Sequence, residues 1–245
     1  MLALLAVACA PPRPPDPNGI TAVYKVGGWK DPVTIKVADN GDWRFDRRNA
    51  GEIRYAGIDY QYSMWIDMRV YSYTKSDADA VEASRRQAPG YDAHAGELRP
   101  GSTYRLPGGA VFRVPAEPVH RFEAVETGEE VVAGRRGKRW TVREIGRPKG
   151  RSIEVVIGND PWLAPIAPLT RRFITVPDEA RSDSYEARVA EVAAKGVVLR
   201  LGSEYVLESA ERTMLRSADF TPPGKRLTRA DLERREPIVT LNPSQ

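Results

Sequence analysis

Few side chains in this 245-residue sequence have the chemistry of a catalyst or a metal ligand. It contains two histidines, His94 and His120, and one cysteine, Cys9. That inventory excludes a histidine-rich metal centre, a multi-cysteine metal site and an internal disulfide framework. A serine–histidine–acid triad needs a histidine beside a nucleophile. His120 stands between Val119 and Arg121 in a strand-like context, and His94 lies in a Gly- and Pro-containing stretch. Neither belongs to a G-x-S-x-G signature. Paired carboxylates do glycoside chemistry, and Asp59 and Asp67 share strand parity, but charges on a solvated face account for them. No phosphate-binding loop, dinucleotide fingerprint or EF-hand spacing is present. The expectation is a protein that is not an enzyme, with no catalytic residues, no metal and no cofactor; an uncharacterised hydrolase is the second alternative.

Cys9 has a different chemistry available. It closes the short apolar run MLALLAVAC, in which small residues precede the thiol, and is followed by five prolines in residues 11–17. Such a proline run is extended and solvated. The order resembles the end of a bacterial lipoprotein signal. It implies that Cys9 is acylated and that residues 1–19 are a truncated signal and tether. The expected location is the periplasmic side of the cell envelope, lipid-anchored and outer-membrane associated. Stable attachment needs more than one acyl chain.

Lys and Arg number 37 against 33 Asp and Glu, giving a net charge of +4. The excess gathers in residues 135–151, where Arg135, Arg136, Lys138 and Arg139 lead a run of eight basic residues against one acid. A basic face of this kind meets anionic lipid headgroups, and these four are the candidate membrane-surface residues. Stacking aromatics other than Trp140 are missing from the run, so nucleic acid is not an expected partner.

The elements that would position these groups read mainly as strands. Residues 20–26 and 33–37 are β-branched runs, and Asn40-Gly41 is a hairpin signal leading into 42–46. From Ile58 to Val70 apolar and polar residues alternate, the clearest period-2 pattern in the chain. Residues 76–87 read as a short, weakly amphipathic helix or an ordered loop. Strand character returns at 121–126, 130–133 and 139–145, with a turn expected at 134–137, and again at 153–157. Residues 183–195 form the best helix, with Asp183 as cap, Glu186 three places on and a Tyr185, Val189, Val192 stripe. A hairpin follows about Gly202-Ser203. Residues 220–223 read as extended, and Thr228 caps a short terminal helix. The expected organisation is one β-rich domain over 20–226, then a short helix and tail over 227–245.

Three stretches carry a resemblance to a known family: Gly41-Asp42-Trp43-Arg44-Phe45; residues 129–134 with Arg139-Trp140-Thr141-Val142; and residues 195–199 continuing to Phe220-Thr221-Pro222-Pro223. Together with the lipoprotein-type start they resemble the LolA/LolB-like superfamily of periplasmic lipoprotein carriers, over roughly residues 20–226 and by layout. The resemblance implies a mainly β (α+β) fold: a strongly curved antiparallel half-barrel sheet with a few short helices in or over its concave face. It implies a non-enzymatic envelope lipoprotein that binds an apolar ligand, a lipid or acyl chain, or an acylated partner, and works as a monomer. Trp43, Phe45, Tyr60, Tyr62, Met64 and Trp140 are the candidate lining of the groove. An envelope sensor or protein-interaction module of the same fold is the alternative.

Overall fold

The computed structural model describes residues 18–28, 30–65, 67–87, 103–105, 111–113, 120–176 and 181–234. Cys9, the proline run, His94 and the tail after residue 234 lie outside the described residues. The fold is mainly β, with a 12-stranded mixed sheet that does not close into a barrel. Its first half is a meander: β1 (Gly19–Val26), β2 (Val33–Ala38), β3 (Trp43–Arg47), β4 (Ala50–Tyr55), β5 (Ile58–Met64) and β6 (Val70–Thr74). Helix α1 (Lys75–Arg86) follows, then a separate two-stranded sheet of β7 (Thr103–Arg105) and β8 (Val111–Arg113). The second half adds β9 (Phe122–Val132), β10 (Arg135–Glu144), β11 (Ser152–Gly158), β12 (Val197–Leu201) and β13 (Tyr205–Thr213). β13 returns to pair with β1, so the two halves join on the first strand. All pairings in the large sheet are antiparallel except that of β14 (Lys225–Arg226) with β6. Among the described residues no helix is long and apolar enough to cross a membrane.

The alternating stretch from Ile58 is two strands. β5 ends at Met64 and β6 begins at Val70, the reversal between them closed by Trp65 N–H donating to Arg69 O at 3.0 Å. Met68 stands at the tip with φ of 59° and 74% exposure, so it belongs to no strand face. The turn between β9 and β10 also differs from expectation. It is the two-residue Ala133-Gly134, both at positive φ, and strand resumes at Arg135. That is the mirror-image turn whose twist matches a hairpin. Gly137, expected in the turn, is inside β10 opposite Gly158. A Cβ on Gly137 would lie 2.7 Å from Val156 Cγ1 and 2.9 Å from the Ile157 carbonyl oxygen, and 3.0 Å from Leu199 Cδ1. The bare position is what lets Leu199 reach across β11. Register shifts interrupt the β1–β13, β9–β10 and β10-side β11–β12 ladders.

Residues 161–173 form a chain of short helical pieces: a 3-10 helix (Pro161–Ile166), α2 (Ala167–Thr170) and a 3-10 turn (Arg171–Phe173). Pro165 and Pro168 remove amide donors, which prevents one continuous helix. Asp160 caps the start through Trp162 N–H at 3.0 Å. The segment packs on β2 and β12, burying Leu163, Ile166, Leu169 and Phe173. Helix α3 (Tyr185–Ala193) lies on β9, β10 and β11. Its cap is Ser184, whose Oγ accepts from Ala187 N–H at 3.2 Å, one residue after the expected Asp183. Asp183 instead pairs with Arg181 and gives its carbonyl to Phe122 N–H. The expected stripe is present: Val189 and Val192 are buried and Tyr185 meets Phe122 edge-on at 5.4 Å. Of the stretch 220–223 expected to be extended, Phe220 instead closes a 3-10 turn (Ser217–Phe220) and is buried, while Thr221 after it has extended backbone. α4 (Arg229–Arg234) starts at Thr228 as expected, with reciprocal bonds between Thr228 and Asp231.

Because the space over Gly137 is occupied by the Val156 side chain and the Ile157 backbone, Gly137→Ala is expected to destabilise the fold by about 1–3 kcal/mol through overpacking. Urea unfolding followed by circular dichroism measures the shift in midpoint.

Candidate functional site

Directly opposed residues in a sheet point to the same face. Trp43, Phe45 and Arg47 alternate along β3, and Phe45 lies opposite Ile35 and Glu52. Tyr60, Tyr62 and Met64 have the other parity, with Tyr60 opposite Ile53 and Tyr62 opposite Gly51. Ile53 is itself opposite Arg44, on the reverse side of the sheet from Phe45. The six candidate lining residues therefore do not share one surface. Trp43, Phe45 and Trp140 belong to or pack on the large core under the helices, whereas Tyr60 and Tyr62 belong to a second core with Leu215 and Phe220.

The centre of the first face is Phe173. Its ring stacks on Tyr205 at 4.3 Å, meets Tyr24 edge-on at 4.9 Å and lies 6.0 Å from Phe45. Tyr24 is fully buried, and burial pushes its phenol far above the ordinary range. Its hydroxyl donates to Val198 O at 2.8 Å. Val198 N–H donates to Thr170 Oγ1 at 3.2 Å. Those two bonds occur where β12 has left β13, since the two strands pair only at Arg200 and Leu201. At the margin of this face Arg47 Nη2 donates to the Arg172 carbonyl at 2.6 Å. The Arg172 guanidinium lies 4.5 Å over the Trp43 ring and pairs with Glu52. Burial, and then the charge of Arg47, hold Arg172 below its ordinary pKa. The sequence reading missed Arg47 and Arg172. A signal was present: two Arg-Arg pairs, 47–48 and 171–172, each adjoin or lie near a core Phe.

The reverse face carries a polar network. The Tyr62 hydroxyl donates to Asp46, and Arg44 Nε reaches both Asp46 oxygens at 2.7 and 2.9 Å. Burial and then the Asp46 bond push the Tyr62 phenol up. Burial is the largest influence on Arg44 and opposes its charge, but the bond to Asp46, the Asp46 charge and Tyr62 together outweigh it and the pKa rises. Lys36 holds Asp219 at 2.6 Å and draws its carboxyl below the usual range. Met64, half-buried, sits at the end of β5 opposite Val70.

The basic run is a ladder of cross-strand pairs. β9 places Glu123, Glu126 and Glu129 beside Arg143, Lys138 and Arg136, at 2.8, 3.1 and 3.3 Å. Arg135 meets Asp160 at 3.1 Å and lies 4.4 Å over Trp162. Arg139 donates to the Thr127 carbonyl at 3.4 Å. An open pocket of about 370 Å³ at the β9–β10 turn is lined by Arg135, Arg136, Lys138, Glu129 and Asp160. The surface there is of mixed sign, because the acids that the run lacks come from the neighbouring strand.

His120 Nδ1 is 2.6 Å from Glu144 Oε1, and Arg147 Nε approaches the same oxygen at 3.2 Å. The bond to His120 is the main cause that holds the Glu144 carboxyl below the usual range, with the charge of Arg147 adding to it. Asp59 is engaged by Arg54 at 2.8 Å and Asp67 by the Tyr71 hydroxyl, so the two act as separate salt-bridge and turn residues. Among the described residues no three His, Cys, Asp or Glu side chains are placed to hold a metal ion. Compared with family models and with curated proteins, the chain matches none.

A carboxylate with a lowered folded-state pKa stabilises the fold above its ordinary value of 4.5 and loses that contribution as pH falls through the lowered value. Glu144→Gln is expected to melt below the parent at neutral pH, with the difference shrinking below about pH 4.5. Thermal melts across the acid range check this; a difference independent of pH would refute the charge role.

Proposed function

We propose that this protein is a non-enzymatic, lipid-anchored envelope protein, attached through acyl chains on Cys9, that holds a lipid or acyl chain on the Phe45 face of a bent sheet. The observation that carries the reading is the seat of residues 161–173. An apolar piece of the chain lies across that face, with Phe173 among Tyr24, Phe45 and Tyr205, in the space an acyl chain would take. Short 3-10 pieces interrupted by proline make weak local structure. Polar links to the sheet are few: Thr170 with Val198, Arg47 with the Arg172 carbonyl, and the Arg172 side chain with Glu52. An acyl chain gains about 0.8 kcal/mol per buried methylene, so a chain of ordinary length competes with such a segment even after the losses of association.

Several features support the bend. β9 approaches β13 although four places separate them in strand order. Arg200 on β12 reaches Glu130 on β9 at 2.6 Å across two intervening strands. The facing pair Gly137 and Gly158 admits Leu199, and strand bulges of the kind found here increase local twist. A distant LolA/LolB-like relationship is part of this proposal. In this reading Trp43, Phe45 and Trp140 belong to the ligand side, and Tyr60, Tyr62 and Met64 stabilise the reverse side.

The experiment is to purify the full-length protein from its own membranes, extract it with organic solvent and identify bound lipid by mass spectrometry. Hydrogen exchange of residues 161–173 is then compared with and without added hexadecanol. Lipid in the extract and faster exchange of this segment on loading are expected. An empty extract with unchanged exchange refutes the reading, and a co-purified protein in place of lipid favours an interaction module. Cys9→Ser is expected to move the protein from the membrane to the soluble fraction.

A further inference from the structure

The margin of the Phe45 face has an unbalanced charge. Arg47 and Arg172 approach each other closely enough for Arg47 Nη2 to donate to the Arg172 carbonyl at 2.6 Å. Glu52 pairs with Arg172. Arg47 has no carboxylate within ion-pair distance among the described residues, and its Nε is buried without a hydrogen-bond partner. Two guanidinium groups thus meet one carboxylate. Each is also laid on an aromatic ring, Arg47 at 5.0 Å over Phe45 and Arg172 at 4.5 Å over Trp43, which fixes the planes of the forks. A buried donor left unmade is unfavourable, and a planar fork of N–H groups matches carboxylate or phosphate oxygens. The site is reachable, since the Arg172 and Glu52 side chains are 34% and 30% exposed. It also adjoins the apolar centre directly, because Arg172 and Phe173 are consecutive and Phe45 is the same-face neighbour of Arg47, two residues away on β3.

We propose that Arg47 and Arg172 form the headgroup site for an anionic lipid, a carboxylate or phosphate monoester, whose tail takes the place of Phe173 among the aromatic rings. The inference rests on the ligand-binding reading above and adds the class of ligand. Withdrawal of Phe173 breaks the bond between Arg47 and the Arg172 carbonyl while Glu52 and the Trp43 ring keep the Arg172 guanidinium at the margin, and the freed Arg47 fork, with its unpartnered Nε–H, receives the anionic oxygens. Glu52 competes with the ligand for Arg172. Burial beside Arg47 already lowers the pKa of Arg172, consistent with a shortage of negative charge there. A hydrogen bond to an ionised group is stronger than a neutral one, which sets the expected discrimination.

The test uses the purified full-length chain loaded with the uncharged fluorophore 1-aminoanthracene, displaced at neutral pH by palmitate, hexadecanol, acetate or inorganic phosphate. Palmitate is expected to bind at least about tenfold more tightly than hexadecanol. Arg47→Gln and Arg172→Gln should each bring that ratio toward one, and Glu52→Gln should increase it, an effect that mere loss of structure would not produce. Equal affinity of the parent for palmitate and hexadecanol overturns the headgroup site but leaves apolar binding intact. Displacement by neither removes both. Displacement by acetate or phosphate as effective as by palmitate shows a free-anion site and overturns the lipid assignment. If an arginine variant does not fold, the comparison of the parent with Glu52→Gln decides.

Discussion

The middle of β12 has to satisfy its backbone polar groups away from its own sheet. At Val198 the strand has separated from β13, yet the residue is fully buried. A buried amide and carbonyl without partners would cost several kcal/mol together. The fold supplies Thr170 Oγ1 for the N–H and the Tyr24 hydroxyl for the oxygen. Thr170 is itself bonded back to Ala167 O at 3.0 Å, so the helical segment is positioned by the demand of the strand. This is why residues 161–173 lie on the Phe45 face and why Phe173 is delivered to Tyr24, Phe45 and Tyr205. It also sets where Arg172 must emerge, beside Arg47 and over Trp43. The placement of the aromatic centre and of the cationic margin both follow from one unpaired stretch of backbone.

The two faces of the sheet divide the work. One carries the helices, the large core and the Arg47 margin. The other carries a smaller apolar core of Ile53, Tyr60, Tyr62, Leu215 and Phe220, bordered by charged hydrogen bonds among Arg44, Asp46, Lys36 and Asp219. A third cluster, with Tyr71, Val81, Leu227 and Leu232, joins α1 and α4 to the edge near β14. None of these clusters depends on a metal or a disulfide among the described residues. The His120–Glu144–Arg147 contact is peripheral to all three and ties the β10 end to the strand start before β9.

Local pattern was readable where it depended on neighbours in the chain. The alternation of Tyr60, Tyr62 and Met64 marked a strand, the Val189–Val192 stripe marked α3, and Thr228 with Asp231 marked α4. What alternation cannot specify is which face of one strand continues onto another. Trp43 and Phe45 separate from Tyr60 and Tyr62 only through the β3–β4–β5 register, in which Phe45 meets Glu52 and Ile53 meets Tyr60. The charge balance of the basic run was hidden for the same reason. Its counter-charges, Glu123, Glu126 and Glu129, are distant in sequence and become adjacent once Ala133-Gly134 reverses the chain. Asp183 and Ser184 illustrate a finer ambiguity: both have cap chemistry, and the edge contact of Asp183 with Phe122 leaves the helix start to Ser184. The two Arg-Arg pairs were visible, but not that Arg47 and Arg172 meet, because 125 residues separate the two cations.

The first strand is completed by the thirteenth. β1 pairs with β2 within a few residues, but its other edge waits for β13, and Thr21 meets Thr213 across a separation of 192 residues. β6 likewise receives β14 from near the end of the described chain. A polypeptide arranged in this way cannot finish its sheet while it is being made; high contact order slows closure and leaves an unpaired, β-branched edge open to association in the meantime. The free edge of β1 therefore stays uncovered in a nascent chain until the last third has been released.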